Sequence, residues 1–141
     1  MYNLVINFDL IKNEQILDNI LLEELKVKTG RDSREEKIIS LASIVDGDYA
    51  GGILGEITFE TCYIKYLATK NEYRGRGIGS DLIYSLEEEL IKLGVKKVYL
   101  TTQDYQAKNF YLKMKYEIVS EIENVPFSGT TRYIFIKNLS E

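Results

Sequence analysis

The sequence predicts a mixed α/β (α+β) fold, a largely antiparallel sheet of about seven strands flanked by helices. Three observations lead there. The periodic segments follow one another as β-α-β-β-β-α-β-α-β-β, not in the strict alternation of a doubly wound sheet. Asp46-Gly47 sits between two β-rich runs, a strong hairpin signal, so neighbouring strands run antiparallel. The chain of 141 residues is 45% apolar and 28% charged. That composition suits one globular domain covering residues 1–141, with a core large enough to need no metal or disulfide.

Each element has its own signal. Tyr2 to Asp9 alternates Leu4, Ile6 and Phe8 against polar Asn3 and Asn7, with Val5 breaking the pattern, and reads as a first strand. From Asn13 the period changes, and Ile16, Leu17, Ile20, Leu21 and Leu25 fall on one helical face. Thr29-Gly30 closes that helix, with Lys26 and Lys28 in its last turn, where the helix dipole favours cations. Arg31 to Glu36 is a charged loop or short helix.

Lys37 to Val45 and Tyr49 to Phe59 form the hairpin. Gly51, Gly52 and Gly55 lie in its second strand, which implies a bulge or the close approach of another backbone or a ligand. Cys62 to Thr69 is a further strand and leads into a polar glycine loop. Ile78, Leu82, Ile83, Leu86, Leu90 and Leu93 then recur at helical spacing up to Gly94. A strand follows over Val95 to Thr102. Ala107, Phe110, Tyr111 and Met114 make the face of a short helix. Tyr116 to Ile122 and Arg132 to Lys137 are the last two strands.

Composition excludes several chemistries. The chain has no histidine, so no Ser-His-Asp or Cys-His nucleophile and no histidine-bound zinc. Its one cysteine, Cys62, makes no intrachain disulfide and reads as a small apolar residue on a buried strand. No metal is expected. A single thiol without a leader-like N-terminus points to the cytoplasm. No apolar run approaches the ~20 residues of a membrane span, so no membrane partner is expected. A pI near 5.0 argues against nucleic acid as a partner. The net charge of −4 is uneven. Residues 1–61 carry six basic and twelve acidic side chains, and residues 62–141 twelve and ten.

The richest segment is Arg74-Gly75-Arg76-Gly77-Ile78-Gly79-Ser80, between a strand and a helix. The first N–H groups of a helix lack intrahelical partners and carry partial positive charge. Glycines let an anion come close to them, so a phosphate or pyrophosphate is the natural occupant. The spacing fits neither the dinucleotide fingerprint, which needs glycine at Ser80 or Leu82, nor a Gly-Lys-Ser/Thr phosphate loop.

This segment resembles the donor-binding motif R/Q-x-x-G-x-G/A of the GNAT superfamily of N-acetyltransferases, filled by Arg74, Gly77 and Gly79. Some thirty residues on, Ala107, Phe110, Tyr111 and Tyr116 are similar to the family's A-x-x-F/L-Y-x-x-x-G-F/Y motif. Tyr105-Gln106-Ala107-Lys108-Asn109-Phe110-Tyr111 and Arg132-Tyr133-Ile134-Phe135 resemble stretches of its small bacterial members. The resemblance implies a GNAT-like acyl-CoA acyltransferase fold and acetyl-CoA as co-substrate. The loop Arg74, Gly75, Arg76, Gly77, Ile78, Gly79 and Ser80 would hold the pyrophosphate. Leu67, Ala68 and Thr69 would pair with the pantetheine arm as an added strand, and a backbone N–H there would polarise the thioester. Asp104, where asparagine is common, and Ala107 would border that arm. Tyr111 matches the tyrosine that protonates the departing thiolate. Lys115 replaces the family's glycine. A left-handed lysine costs about 1 kcal/mol, so a different local backbone is expected there.

The implied activity is acetyl transfer to an amine by direct attack in a ternary complex. The alternative is a non-catalytic acyl-CoA-binding or sensing domain of the same fold. An amine with a pKa near 10.4 must lose a proton before it attacks. The candidate bases are Glu56 and Glu60, which would share one face of a strand, with Asp104 a third; each is otherwise an exposed carboxylate. The acidic first half, if it faces the cleft, favours a basic small-molecule or peptide amine as acceptor. A monomer or homodimer is expected.

Overall fold

A computed structural model describes residues 3–105 and 107–139; Met1, Tyr2, Gln106, Ser140 and Glu141 lie outside it. The chain forms two compact units, Met1–Glu35 and Glu36–Glu141. Among the described residues, no helix is long and apolar enough to cross a membrane.

In the first unit, the strand expected over Tyr2 to Asp9 is absent from the described residues 3–9, and Tyr2 itself lies outside them. Alternation needs a partner strand to make a sheet, and none pairs here. Instead Asn7 turns the chain with φ 60°. Helix α1 spans Leu10–Thr29 and begins three residues before its apolar period does, because Asp9 caps it. The Asp9 carboxylate accepts the Lys12 N–H at 2.8 Å. The helix ends at Gly30, whose left-handed φ of 79° lets its N–H reach the Lys26 carbonyl. Arg31 to Glu36 contains no helix. Arg34 folds back onto the Asp18 carboxylate at 2.7 Å.

The second unit holds a six-stranded sheet in place of the expected seven. Its strands are β1 Lys37–Val45, β2 Asp48–Thr58, β3 Thr61–Thr69, β4 Lys97–Gln103, β5 Glu117–Glu123 and β6 Thr131–Asn138. Their order is β1-β2-β3-β4-β6-β5. All neighbours are antiparallel except β3 and β4. The β1–β2 turn has positive φ at both Asp46 and Gly47, the geometry a two-residue hairpin prefers.

The β2 glycines answer to both expected causes. A Cβ on Gly55 would lie 2.7 Å from Cys62 Sγ, and one on Gly51 would lie 2.8 Å from the Ala68 carbonyl. A bulge also falls between Leu54 and Gly55, where Lys65 of β3 is passed over in the pairing.

Helix α2 spans Ile78–Lys92, and the short helix α3 spans Lys108–Lys113. Leu82, Ile83, Leu86 and Leu90 of α2 join Ile53, Ile57, Cys62, Val98, Leu100 and Phe135 in one buried cluster. These strand residues alternate with Glu56, Tyr63, Tyr99 and Ile134, which the period of two sends to the opposite sheet face.

The sheet is interrupted at its centre. β3 and β4 pair only from Thr61–Lys97 to Tyr63–Tyr99. Beyond Tyr63 the two strands part, and β3 from Ile64 to Thr69 has β2 alone as partner.

Candidate active site

The glycine loop lies at the open end of that gap. A single turn of 3-10 helix, Asn71–Tyr73, carries the chain out of β3. Arg74 Nε then donates back to the Thr69 carbonyl at 3.2 Å and pins the loop to the strand. Arg76 reaches the Glu72 carbonyl at 3.4 Å, and its guanidinium lies 5.2 Å from the centre of the Tyr73 ring. Gly75 and Gly77 take left-handed φ values of 78° and 80°, and Gly77 is the N-cap of α2 with no side-chain cap. The first N–H groups of α2 are therefore left for an outside acceptor. A Cβ built on Gly75 or Gly77 meets nothing within 4 Å, so the space over this backbone is open. Gly79 is different: a Cβ there would touch the Phe110 ring at 3.4 Å, so glycine lets α2 and α3 approach.

These groups border a cleft of about 860 Å³. Leu67, Ala68 and Thr69 form one wall. Tyr73, Arg74, Gly75, Gly77, Ile78, Gly79 and Ser80 form the loop side. Asp104, Tyr105 and Ala107 to Tyr111 form the third side. Every residue expected at the donor site lines it except Arg76. Tyr73, Tyr105, Lys108, Asn109 and Phe110 also line it. Phe110 is itself a motif residue, and the other four stand in or beside the stretches that carry the resemblance; Gln106 of the same stretch lies outside the described residues. A second cavity of about 190 Å³ fills the gap between β3 and β4 and is bordered by Ile64 to Leu67 and Leu100 to Thr102. Leu67, Ala107 and Tyr111 border both.

Tyr111 therefore stands where the two spaces meet. Its ring packs on Phe110, Tyr116 and Phe135 at centroid distances of 5.2, 5.8 and 5.6 Å. Burial pushes its phenol up to about 12, so at neutral pH it holds its proton. Burial pushes the Cys62 thiol up to about 11, which keeps it protonated and suits packing over nucleophilic attack.

The three candidate bases separate. β2 ends at Thr58, so Glu60 lies in the following turn and does not share a strand face with Glu56. Its carboxylate pairs with Lys96 at 3.6 Å, and it borders neither cavity. Asp104 borders the large cleft, but its carboxylate accepts the Thr131 N–H at 3.1 Å while its own N–H donates to the Thr131 carbonyl at 3.0 Å. It clamps the end of β4 to β6. Glu56 sits in one row with Ile38 and Tyr63, on the sheet face away from α2. Tyr63 packs against Tyr99 beside it, the ring centres 5.1 Å apart and the planes tilted by 46°. Glu56 borders neither cavity.

Lys115 does take the left-handed backbone that glycine favours: its φ is 72°, against the expectation of a different backbone. Sequence reasoning passed over Glu87. Its place four residues after Ile83 and three before Leu90 marks the buried face of α2, and Glu87 is 7% exposed.

Comparisons with known proteins agree with this geometry. Residues 11–116 match the acetyltransferase (GNAT) family model. The chain is 31% identical over 97 residues to a blasticidin-S acetyltransferase of Streptomyces morookaense, covering 66% of this chain and 68% of that protein. It is similar in fold to an acetyltransferase from Bacillus cereus ATCC 14579, with TM-score 0.86 and 24% identity over 96% of this chain and 97% of the other. It is also similar in fold to an aminoglycoside 6'-N-acetyltransferase solved with coenzyme A, with TM-score 0.69 and 20% identity over 95% and 96%. The match to the family model over residues 11–116 shows that the chain belongs to the acetyltransferase (GNAT) family, and it transfers the acetyl group of acetyl-CoA to an amine.

Proposed function

We propose that residues 1–141 act as one catalytic domain that transfers acetyl directly to a small-molecule or peptide amine in a ternary complex. One observation carries this reading. A single cleft runs from the open backbone of Gly75 and Gly77 to Tyr111 and meets the gap between β3 and β4 there. The donor supplies an activated acyl thioester. The N–H groups at the start of α2 bind its pyrophosphate. The unpaired edge of β3, Ile64 to Thr69, pairs with its amide arm, and an N–H beside the Lys65 bulge polarises the acyl carbonyl. As the carbon–nitrogen bond forms and the carbon–sulfur bond breaks, Tyr111 gives its proton to the sulfur. The amine loses its own proton to Glu56 through water. Neither Glu60 nor Asp104 takes part, because each already holds another partner.

The acceptor amine is cationic in this reading. Of the acids in residues 1–61, Asp9 caps α1, Asp18 pairs with Arg34, Glu24 with Lys28 and Glu60 with Lys96. Four of the twelve acids are thus held locally, and Glu56, on the sheet face away from α2, is the acid that attracts the amine in this reading. The likeness to enzymes named for blasticidin-S and aminoglycosides supports a small molecule. The single buried cysteine suits a cytoplasmic setting.

The test is release of CoA thiol from acetyl-CoA with and without a panel of amines, with products identified by mass. Acetylated amine formed in step with thiol is the expected result. Thiol release with no acetylated amine from any panel member overturns the reading.

A further inference from the structure

Arg132, the second residue of β6, lies in register with Gln103 of β4 and Ile122 of β5. Alternation sets it against Tyr133 and Phe135, which are buried on the α2 side, so Arg132 belongs to the opposite face, with Ile134, Thr101 and Glu56. Its Nε is buried without a hydrogen-bond partner, and no ion pair among the described residues involves its guanidinium. The acids nearest in sequence on β5 do not serve it. Glu121 and Glu123 pair in register with Tyr133 and Thr131, which places them on the other face. Its cross-strand neighbours Gln103 and Ile122 are neutral.

Arginine keeps its charge at all ordinary pH and brings five donors in a planar fork. A donor shut away from water without a partner is costly and rare in native proteins. The position explains why it is kept. Thr101 borders the cavity in the sheet gap and lies opposite Ile134. Arg132 is therefore its diagonal neighbour, about 7–8 Å away between side-chain roots and within reach of a long side chain. This face carries a carboxylate, Glu56, on the β2 side of the gap and a guanidinium on the β6 side.

We infer that Arg132 is a specificity-determining residue that binds a carboxylate carried by the acceptor itself, so that the acceptor is a zwitterion with an amine at the gap and a carboxylate several bonds away. The inference rests on the acetyl-transfer reading above and narrows its acceptor class. A carboxylate matches the guanidinium fork in two parallel hydrogen bonds.

The experiment uses amines that differ only in the carboxylate: 4-aminobutyrate against butylamine, and lysine against cadaverine. Dissociation constants are measured calorimetrically in the presence of CoA, and kcat/KM is measured for each amine that is turned over. The wild type is expected to favour the carboxylated member of at least one pair about tenfold or more, the size of a hydrogen bond between charged groups. Arg132→Gln is expected to bring that ratio close to one, through KM, and Arg132→Lys to restore part of it. The acetyl-CoA dissociation constant is expected to stay within about twofold. No preference for a carboxylated member in any pair, an absence of binding included, overturns the inference. So does an unchanged ratio in folded Arg132→Gln, or a loss of acetyl-CoA affinity there, which would place the guanidinium on the donor. Failure of the wild type to bind acetyl-CoA at all would instead strike the acetyl-transfer reading.

Discussion

The hydroxyl of Tyr116 donates to the Glu87 carboxylate at 2.8 Å, and both residues are buried. Lys137 Nζ completes the group, 2.9 and 3.1 Å from the two carboxylate oxygens and 3.0 Å from the Met114 carbonyl. The trio joins α2, the end of α3 and β6 directly behind Tyr111, whose ring lies 5.8 Å from that of Tyr116. Burial and the adjacent Glu87 carboxylate push the Tyr116 phenol far up, so it stays a donor.

Removing the carboxylate is the most damaging change to this group. Glu87→Gln leaves the Lys137 ammonium without its counter-charge, and breaking such a pair costs about 3–5 kcal/mol. Tyr116→Phe loses one hydrogen bond to a charged group, about 1.5–3 kcal/mol. Urea unfolding is expected to rank the two in that order. Equal losses would mean that the ion pair adds nothing beyond the phenol.

Acetyl-CoA is expected to raise the melting temperature, since ligand at about 100 times its dissociation constant adds roughly 2.7 kcal/mol. Gly77→Glu is expected to abolish this shift, because the new side chain enters the open space over the loop and its charge repels phosphate. Gly77→Ala bears the same left-handed strain, about 1 kcal/mol, without the charge, and is expected to retain more of the shift. Thermal melts of the two variants with and without millimolar acetyl-CoA make the comparison.

Tyr111→Phe is expected to lower kcat about a hundredfold or more while acetyl-CoA affinity changes little, because in the proposed reaction the hydroxyl acts as sulfur departs. Since the phenol is held up to about 12, no loss of kcat from its ionisation is expected below pH ~10. The folded phenol keeps its proton to a higher pH than the unfolded one does. The stability linked to Tyr111 is thus fully present below the phenol's ordinary value of 10.0 and is lost as pH rises through about 12. Steady-state kinetics and calorimetry separate the two effects.

Lys115→Gly is expected to stabilise the fold by about 1 kcal/mol, since φ is 72° and lysine pays a steric cost that glycine does not. The side chain is exposed, so little packing is lost. An unchanged urea midpoint would mean that the lysine side chain makes up the difference.

Local order decided much of what the sequence made legible. The Asp46-Gly47 hairpin, the start of α2 at the glycine loop and the α3 face of Ala107, Phe110, Tyr111 and Met114 depend on spacing and turn chemistry within a few residues. The cleft proposed to hold the donor was readable for the same reason, because its groups lie close along a few short stretches. Tertiary structure decided the rest. The alternation in residues 3–9 makes no strand, since a strand exists only through its partner. Glu60 and Asp104 looked like free carboxylates until Lys96 and the Thr131 backbone, distant in sequence, were brought against them. Glu87 met Lys137 across fifty residues. The parting of β3 from β4 after Tyr63, which makes room for the chemistry, is a property of two strands brought side by side. Periodicity reports which face a side chain takes, but the charge or hydrogen bond it finds there is set by long-range packing, which no local pattern encodes.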